Sequence, residues 1–201
     1  MTEPAEVDHA TRRDSVRRGM RLGGAVLAAS ALPLVAGARG AGAKSPPAGS
    51  DAKILANLTA YEQAAAVTYR QGLGTGALSP DAEDTFRLLE SQEQEHADAL
   101  AAAARDAGGR PPAPPHPAAV SLGPRRLTAL RTQTALLAFA LDGEEGAVHA
   151  YWGALKELSG AKRIELAAQV MANRGQHLVL LRQALGRPPV PRAFETGSVS
   201  R

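Results

Sequence analysis

Carboxylates and imidazoles recur at matched places along this chain. Tyr61-Glu62-Gln63-Ala64-Ala65-Ala66-Val67-Thr68-Tyr69 is echoed by Gly143-Glu144-Glu145-Gly146-Ala147-Val148-His149-Ala150-Tyr151. Glu93-Gln94-Glu95-His96-Ala97-Asp98-Ala99-Leu100 is echoed by Arg174-Gly175-Gln176-His177-Leu178-Val179-Leu180-Leu181. The offset is 82 residues between Glu62 and Glu144 and 81 between His96 and His177. A helical pair has been duplicated, with a Glu on the first helix of each copy and a His on the second. These residues interrupt apolar seams, where a lone charge costs on the order of several kcal/mol in lost solvation. Glu62, Glu93, His96, Glu144, Arg174 and His177 must therefore meet one another, a metal or a proton, and the repeat points to one shared central site.

The elements that position them follow from the spacing of apolar residues, which alternates between three and four as on a bundle helix. The first seam reads Leu55, Leu58, Glu62, Ala65, Tyr69. The second reads Phe86, Leu89, Glu93, His96, Leu100, with Ser79-Pro80 as N-cap and first-turn proline. The third runs from Leu127 and Leu130 through Thr134, Leu137, Leu141, Glu144, Val148, Tyr151 and Leu155 to Leu158. The fourth holds Ala167, Val170, Arg174, His177, Leu181 and Ala184, and stops before Pro188-Pro189. Glu62 and Glu93 lie at comparable depth on either side of the turn that begins at Gly72, and Glu144 and Arg174 do so about Ser159-Gly160. Antiparallel packing brings each pair to one level.

Between the two hairpins, residues 108–124 are rich in proline. As an extended strap this segment reaches about 50 Å at roughly 3.1 Å per residue. Helices of about 25 residues stand only about 35–40 Å tall, so the strap can return along the bundle. The expected fold is all-α, a four-helix bundle with one long crossover between helices 2 and 3.

Other ionisable residues read more plainly. Tyr69 and Tyr151, two turns past their Glu, serve either as donors to a carboxylate or as core packing. Glu145 and His149, one step off the seam, read as a flanking pair. Glu90 and Glu95 read as solvated, and His9 and His116 are not ligands. Trp152 leaves the seam to cover the strap or an oligomer contact, so the sequence admits a homo-oligomer.

The 201 residues show no domain-sized break in composition and fit one domain with appendages. Lys and Arg number 23 against 20 Asp and Glu. Residues 1–43 hold six Arg and four acidic residues, which leaves 17 basic against 16 acidic residues in the remainder. No basic run remains there, so nucleic acid is excluded as an expected partner. The absence of cysteine excludes disulfides, thiolate metal sites and a lipid-anchored N-terminal Cys.

Residues 1–43 read as an export signal. Thr11-Arg12-Arg13-Asp14-Ser15-Val16-Arg17 resembles the twin-arginine translocation pattern, and Arg17-Arg18 offers a second pair. Leu22 to Ala36 is short and only mildly apolar, below the roughly 20 residues of a membrane span but suited to a signal peptide. Small residues place cleavage after Ala38 or Ala43. The implied partner is the twin-arginine translocation machinery, with membrane contact only transiently through the signal. The implied destination is the periplasm, cell wall or extracellular space. Residues 44–50 form a linker, 51–186 the bundle and 187–201 a tail.

Residues 51–186 resemble the ferritin-like superfamily, most closely its exported bacterial branch with twin-arginine signals and relatives of desiccation-related proteins. That superfamily builds a di-iron or di-manganese centre from a Glu on each of two helices and a Glu-x-x-His on each of the other two. By this resemblance Glu62 and Glu144 are the single carboxylates, Glu93 with His96 is one Glu-x-x-His, and His177 is the second His. Arg174 stands where the last Glu is expected. A complete set carries a formal charge of −4 and balances two divalent ions, whereas three Glu and one Arg carry −2. That charge balances one iron or manganese ion, or two protonated histidines and no metal. A guanidinium has no lone pair to donate, which disfavours a dinuclear site.

The resemblance implies an exported ferritin-like protein whose partly degenerate metal site is mononuclear or metal-free, acting in envelope stress protection. The alternative is a metal-dependent oxidoreductase with ferroxidase, peroxidase or catalase-like chemistry on iron or manganese. A metal carrier without turnover lies between these readings.

Overall fold

The computed structural model describes residues 50–197. The expected export signal and nearly all of the expected linker lie outside them. Four helices make the bundle: α1 Ser50–Leu73, α2 Pro80–Asp106, α3 Gln133–Glu157 and α4 Ala161–Ala184. At 1.5 Å per residue these are about 36–40 Å long. Helix α1 begins one residue earlier than the sequence suggests, at Ser50.

The ends of the helices are set by local chemistry. Ser79 accepts from the Ala82 N–H at 3.4 Å, Pro80 occupies the first turn, and Asp81 and Glu83 complement the helix dipole there. Thr132 caps α3 by accepting from the Ala135 N–H at 3.2 Å. Asp51, buried at the start of α1, accepts from the Ser159 N–H and hydroxyl at 3.2 and 3.0 Å and from Arg163 at 2.7 Å. It ties the first turn of α1 to the α3–α4 turn. Gly72 lets α1 and α2 approach closely, since a Cβ there would stand 2.5 Å from Phe86 Cε1.

Two apolar clusters fill the bundle. One gathers Tyr69, Phe86, Leu89, Leu137, Leu141 and Leu181. The other gathers Leu55, Leu58, Leu100, Tyr151, Ala167 and Val170. Each fully buried Leu contributes about 1.5–3 kcal/mol relative to exposure. In α1, α2 and α4 the charged residue of the seam falls between members of the two clusters, so the apolar core sandwiches a polar layer.

The crossover differs from an extended strap and runs on to Thr132. A single turn of 3-10 helix at Pro117–Ala119 leads into a two-residue hairpin, Ser121–Leu122 against Arg125–Arg126, turning at Gly123 with φ +56°. A second 3-10 turn follows at Leu127–Ala129. Leu127 therefore leaves the expected α3 seam and packs with Val67, Val120 and Phe139 in a third cluster under the crossover. Thr134 and Ala184, also read as seam positions, are exposed. No described helix is long and apolar enough to cross a membrane.

Candidate functional site

The four helices each deliver one charged group to the polar layer: Glu62 from α1, Glu93 from α2, Glu144 from α3 and Arg174 from α4, each at most 1% exposed. His177 is equally buried, whereas the His96 side chain keeps 15% exposure. The seam spacing puts all six on the inner face. The expected convergence of Glu62, Glu93, His96, Glu144 and His177 is therefore seen, with Arg174 among them.

Arg174 sits between the three carboxylates. Its Nε donates to Glu62 Oε1 at 3.0 Å, Nη1 to Glu144 Oε2 at 2.5 Å, and Nη2 to Glu93 Oε2 at 2.5 Å. The planar guanidinium suits this task because its donors fan out in fixed directions. Its face lies 5.8 Å from the Tyr151 ring centroid, close enough for a cation–π contact.

The two tyrosines serve as donors. Tyr69 donates to Glu144 Oε1 at 2.5 Å, and Tyr151 donates to Glu62 Oε1 at 2.6 Å. Each thus serves the Glu of the other repeat, which requires α1 and α3 to run antiparallel. His96 Nδ1 lies 3.1 Å from Glu62 Oε2. His177 Nδ1 lies 2.9 Å from Glu93 Oε1 and 3.4 Å from Glu144 Oε1, and its Nε2 faces Gln92 Oε1 at 2.8 Å. The two imidazoles stack with centroids 6.1 Å apart.

Burial and charge oppose each other at every carboxylate. Burial alone would raise Glu62, but the Arg174 charge, with hydrogen bonds to His96, Glu93 and Tyr151, holds it at about 2. Burial would likewise raise Glu144, and Arg174, His177 and Tyr69 together hold it at about 2. At Glu93 burial prevails, aided by the negative charges of Glu144 and Glu62, and its carboxyl is pushed well above the ordinary range despite Arg174. Glu93 Oε1 has no hydrogen-bond partner, although His177 Nδ1 stands 2.9 Å away.

Two groups offer metal-ligand geometry, Glu62–Glu93–His96 and Glu93–Glu144–His177, with ligand atoms within 4.8 Å of one another. They share Glu93, as two halves of a dinuclear site would. The donor set nevertheless does not fit two ions. The guanidinium occupies the space between the carboxylates, and Glu93 Oε1 is the one oxygen of the six without a hydrogen-bond partner.

Gln92 was not legible as a site residue, being one step off the seam. Glu145 accepts from Arg182 Nη2 at 2.9 Å, and His149 is exposed. Arg182 also donates to Glu195 at 2.9 Å, which fastens the tail to α4. Trp152 is 43% exposed and takes the Lys156 ammonium over its ring at 4.7 Å.

Solved structures resemble this fold. A ferritin-like, diiron-carboxylate protein from Bacillus anthracis str. Ames superposes with a TM-score of 0.57 at 20% identity, covering 70% of this chain and 99% of that one. A conserved hypothetical protein from Mycobacterium tuberculosis superposes with a TM-score of 0.57 at 16% identity, covering 72% and 96%. No curated protein matches the chain. The sequence profile of the ferritin-like domain matches residues 50–187. The four helices, the long crossover and the profile agree, and the chain belongs to the ferritin-like domain family.

Proposed function

We propose that this is an exported ferritin-like protein in which an internal arginine takes the place of the metal pair, and that it acts as a metal-independent protective protein of the cell envelope. The observation that carries this reading is the guanidinium of Arg174 bonded to Glu62, Glu93 and Glu144 at 2.5–3.0 Å. The cation that neutralises the carboxylates is covalently part of the chain, so it needs no loading and supplies no redox chemistry. The envelope location rests on the twin-arginine pattern in residues 1–43, and the protective role on the resemblance to desiccation-related proteins.

A second reading, an iron- or manganese-dependent oxidoreductase, is favoured by the two Glu–Glu–His groups that share Glu93. It requires Arg174 to withdraw from its hydrogen bonds to three carboxyl groups. Elemental analysis of protein exported by its own host separates the two readings. Less than one equivalent of iron or manganese per chain is expected. Two equivalents would overturn the proposal.

A further inference from the structure

Charge is segregated over the surface of the bundle. Residues 52–79, α1 and the turn after it, and residues 107–132, the crossover, bring six cations to the surface: Lys53, Arg70, Arg110, Arg125, Arg126 and Arg131. The only carboxylate in these two segments, Glu62, is buried. Helix α2 is the reverse, with seven Asp and Glu at its surface against two Arg.

Local pairing does not remove the excess on the basic face. Arg70 donates to Glu90 of α2 at 2.7 Å, and Arg125 donates to Asp142 of α3 at 2.6 Å. Lys53, Arg110, Arg126 and Arg131 are all exposed and have no ion-pair partner among the described residues. Arg131 donates only to the main-chain carbonyls of Thr128 and Leu130. On α2, by contrast, Glu83, Asp84 and Glu90 already have arginine partners.

These four cations do not converge on a point. The crossover starts beside the first turn of α1, where a Cβ on Gly109 would stand 2.9 Å from Ala52 Cβ. It ends at the other end of the bundle, where the Ser79 N–H donates to Gln133 Oε1 at 2.6 Å. Arg110 and Arg131 therefore lie near opposite ends of helices about 36–40 Å long. Cations strung over that length suit an extended anionic surface rather than one small anion. Tyr61 belongs to the same face: it is 46% exposed and lies with Pro112 and Ala113 between α1 and the crossover. Tyrosine suits a membrane–water interface, where its ring meets the apolar side and its hydroxyl the wet side.

We infer that the face made by α1 and the crossover docks the folded bundle on an anionic lipid bilayer. Anionic head groups attract the unpaired cations and repel the carboxylates of α2, so the segregation orients the bundle as well as holding it. A second copy of the chain fits this face less well. Three of the seven acids on α2 are already paired, and a basic face on an acidic one makes a contact that does not close on itself. The docking is a property of the bundle, separate from any contact made by the signal, and it rests on neither reading of the polar layer.

Co-sedimentation of the full chain with vesicles tests it. Vesicles of phosphatidylglycerol in phosphatidylcholine should bind the chain at least tenfold more tightly than phosphatidylcholine alone, and raising the salt should weaken the binding. The combined variant Lys53→Gln, Arg110→Gln and Arg126→Gln removes side chains without bonding partners and should bind at least tenfold more weakly. Arg87→Gln, Lys162→Gln and Arg187→Gln together remove the same charge elsewhere and should change binding less than twofold. Contact through the signal is common to all of these chains, so their difference reads the bundle. The chain lacks cysteine, which allows a polarity-sensitive fluorophore on Ala113→Cys in the crossover or on Ser91→Cys of α2. Only the first should shift to the blue on the vesicles. The inference fails if the first variant binds undiminished or if the two fluorophores respond alike. It fails also if sedimentation velocity without vesicles shows an oligomer that the first variant abolishes, which would give the face to a second copy.

Discussion

Arg174, the residue that the duplication aligns with Glu93, donates to Glu93 itself, Nη2 to Oε2 at 2.5 Å. At this position of the repeat one copy carries an acid and the other the base that donates to it. A site that two ions would hold together is held by a charge reversal between equivalent residues.

Exchange of Arg174 for Glu should make stability depend on metal. Four buried carboxylates would repel one another in the apo protein, and divalent ions binding only the folded state would offset that repulsion. We expect Arg174→Glu to lower the Tm in chelator and to recover it with Mn(II) or Fe(II), while the parent responds to neither. Differential scanning calorimetry with and without metal makes the comparison. A variant indifferent to metal would refute the idea that Arg174 stands in for an ion.

The three carboxylates should respond unequally to amide substitution. Burial and the neighbouring carboxylates push the Glu93 carboxyl well above its ordinary range, so Glu93→Gln should cost less than either of the other two amide exchanges. Glu62 and Glu144 are ionised partners of a buried guanidinium, and Glu62→Gln or Glu144→Gln should cost about 3–5 kcal/mol, the range for breaking a buried ion pair. Urea unfolding of the three variants at pH 7 checks the ranking.

Acid should unfold the protein in a defined window. Glu62 and Glu144 fall from the ordinary 4.5 to about 2 on folding, so each contributes stability that is present above about pH 4.5 and lost as pH falls toward 2. The linkage is worth on the order of 3 kcal/mol per group, and the two share Arg174, so they do not add. Glu93 has the opposite sign, since its raised value gives stability that is complete below about 4.5 and diminishes as pH rises. Unfolding midpoints measured between pH 2 and 7 should fall steeply only below 4.5, and Arg174→Met should move that fall to higher pH.

Loss of either phenol should be felt strongly. Tyr69→Phe and Tyr151→Phe each leave an ionised, buried carboxylate short of a donor, at a cost of about 1.5–3 kcal/mol. Tyr151→Phe keeps the ring that packs against Arg174, so any excess loss in Tyr151→Ala measures that contact. Guanidinium unfolding of the three variants gives both numbers.

The architecture was legible because one pattern encoded it twice. Apolar residues at spacings of three and four fixed which face of each helix turned inward, and the repeat aligned the polar interruptions. The convergence of Glu62, Glu93, Glu144 and Arg174 followed from that register. The crossover was harder to read. Leu127 and Leu130 continue the α3 spacing, yet Thr132 offers a better cap, and Leu127 gains more by packing on Val67, Val120 and Phe139. The site's missing partner, Gln92, is a tertiary contact between α2 and α4, and nothing in local spacing announces it. The reach of Tyr69 and Tyr151 across the repeat depends on the antiparallel placement of α1 and α3, which seam positions alone leave unspecified.

The exchanged tyrosines also bear on how the chain folds. A hairpin of α1 and α2 alone would expose the Tyr69 hydroxyl and leave Glu62 without Tyr151 or Arg174. A hairpin of α3 and α4 alone would hold Arg174 with one carboxylate in place of three. Neither half is a self-sufficient folding unit, because each completes the other's interior. The bundle should therefore form in one cooperative step, and a chain carried across a membrane by any route travels with the whole of it assembled or with none.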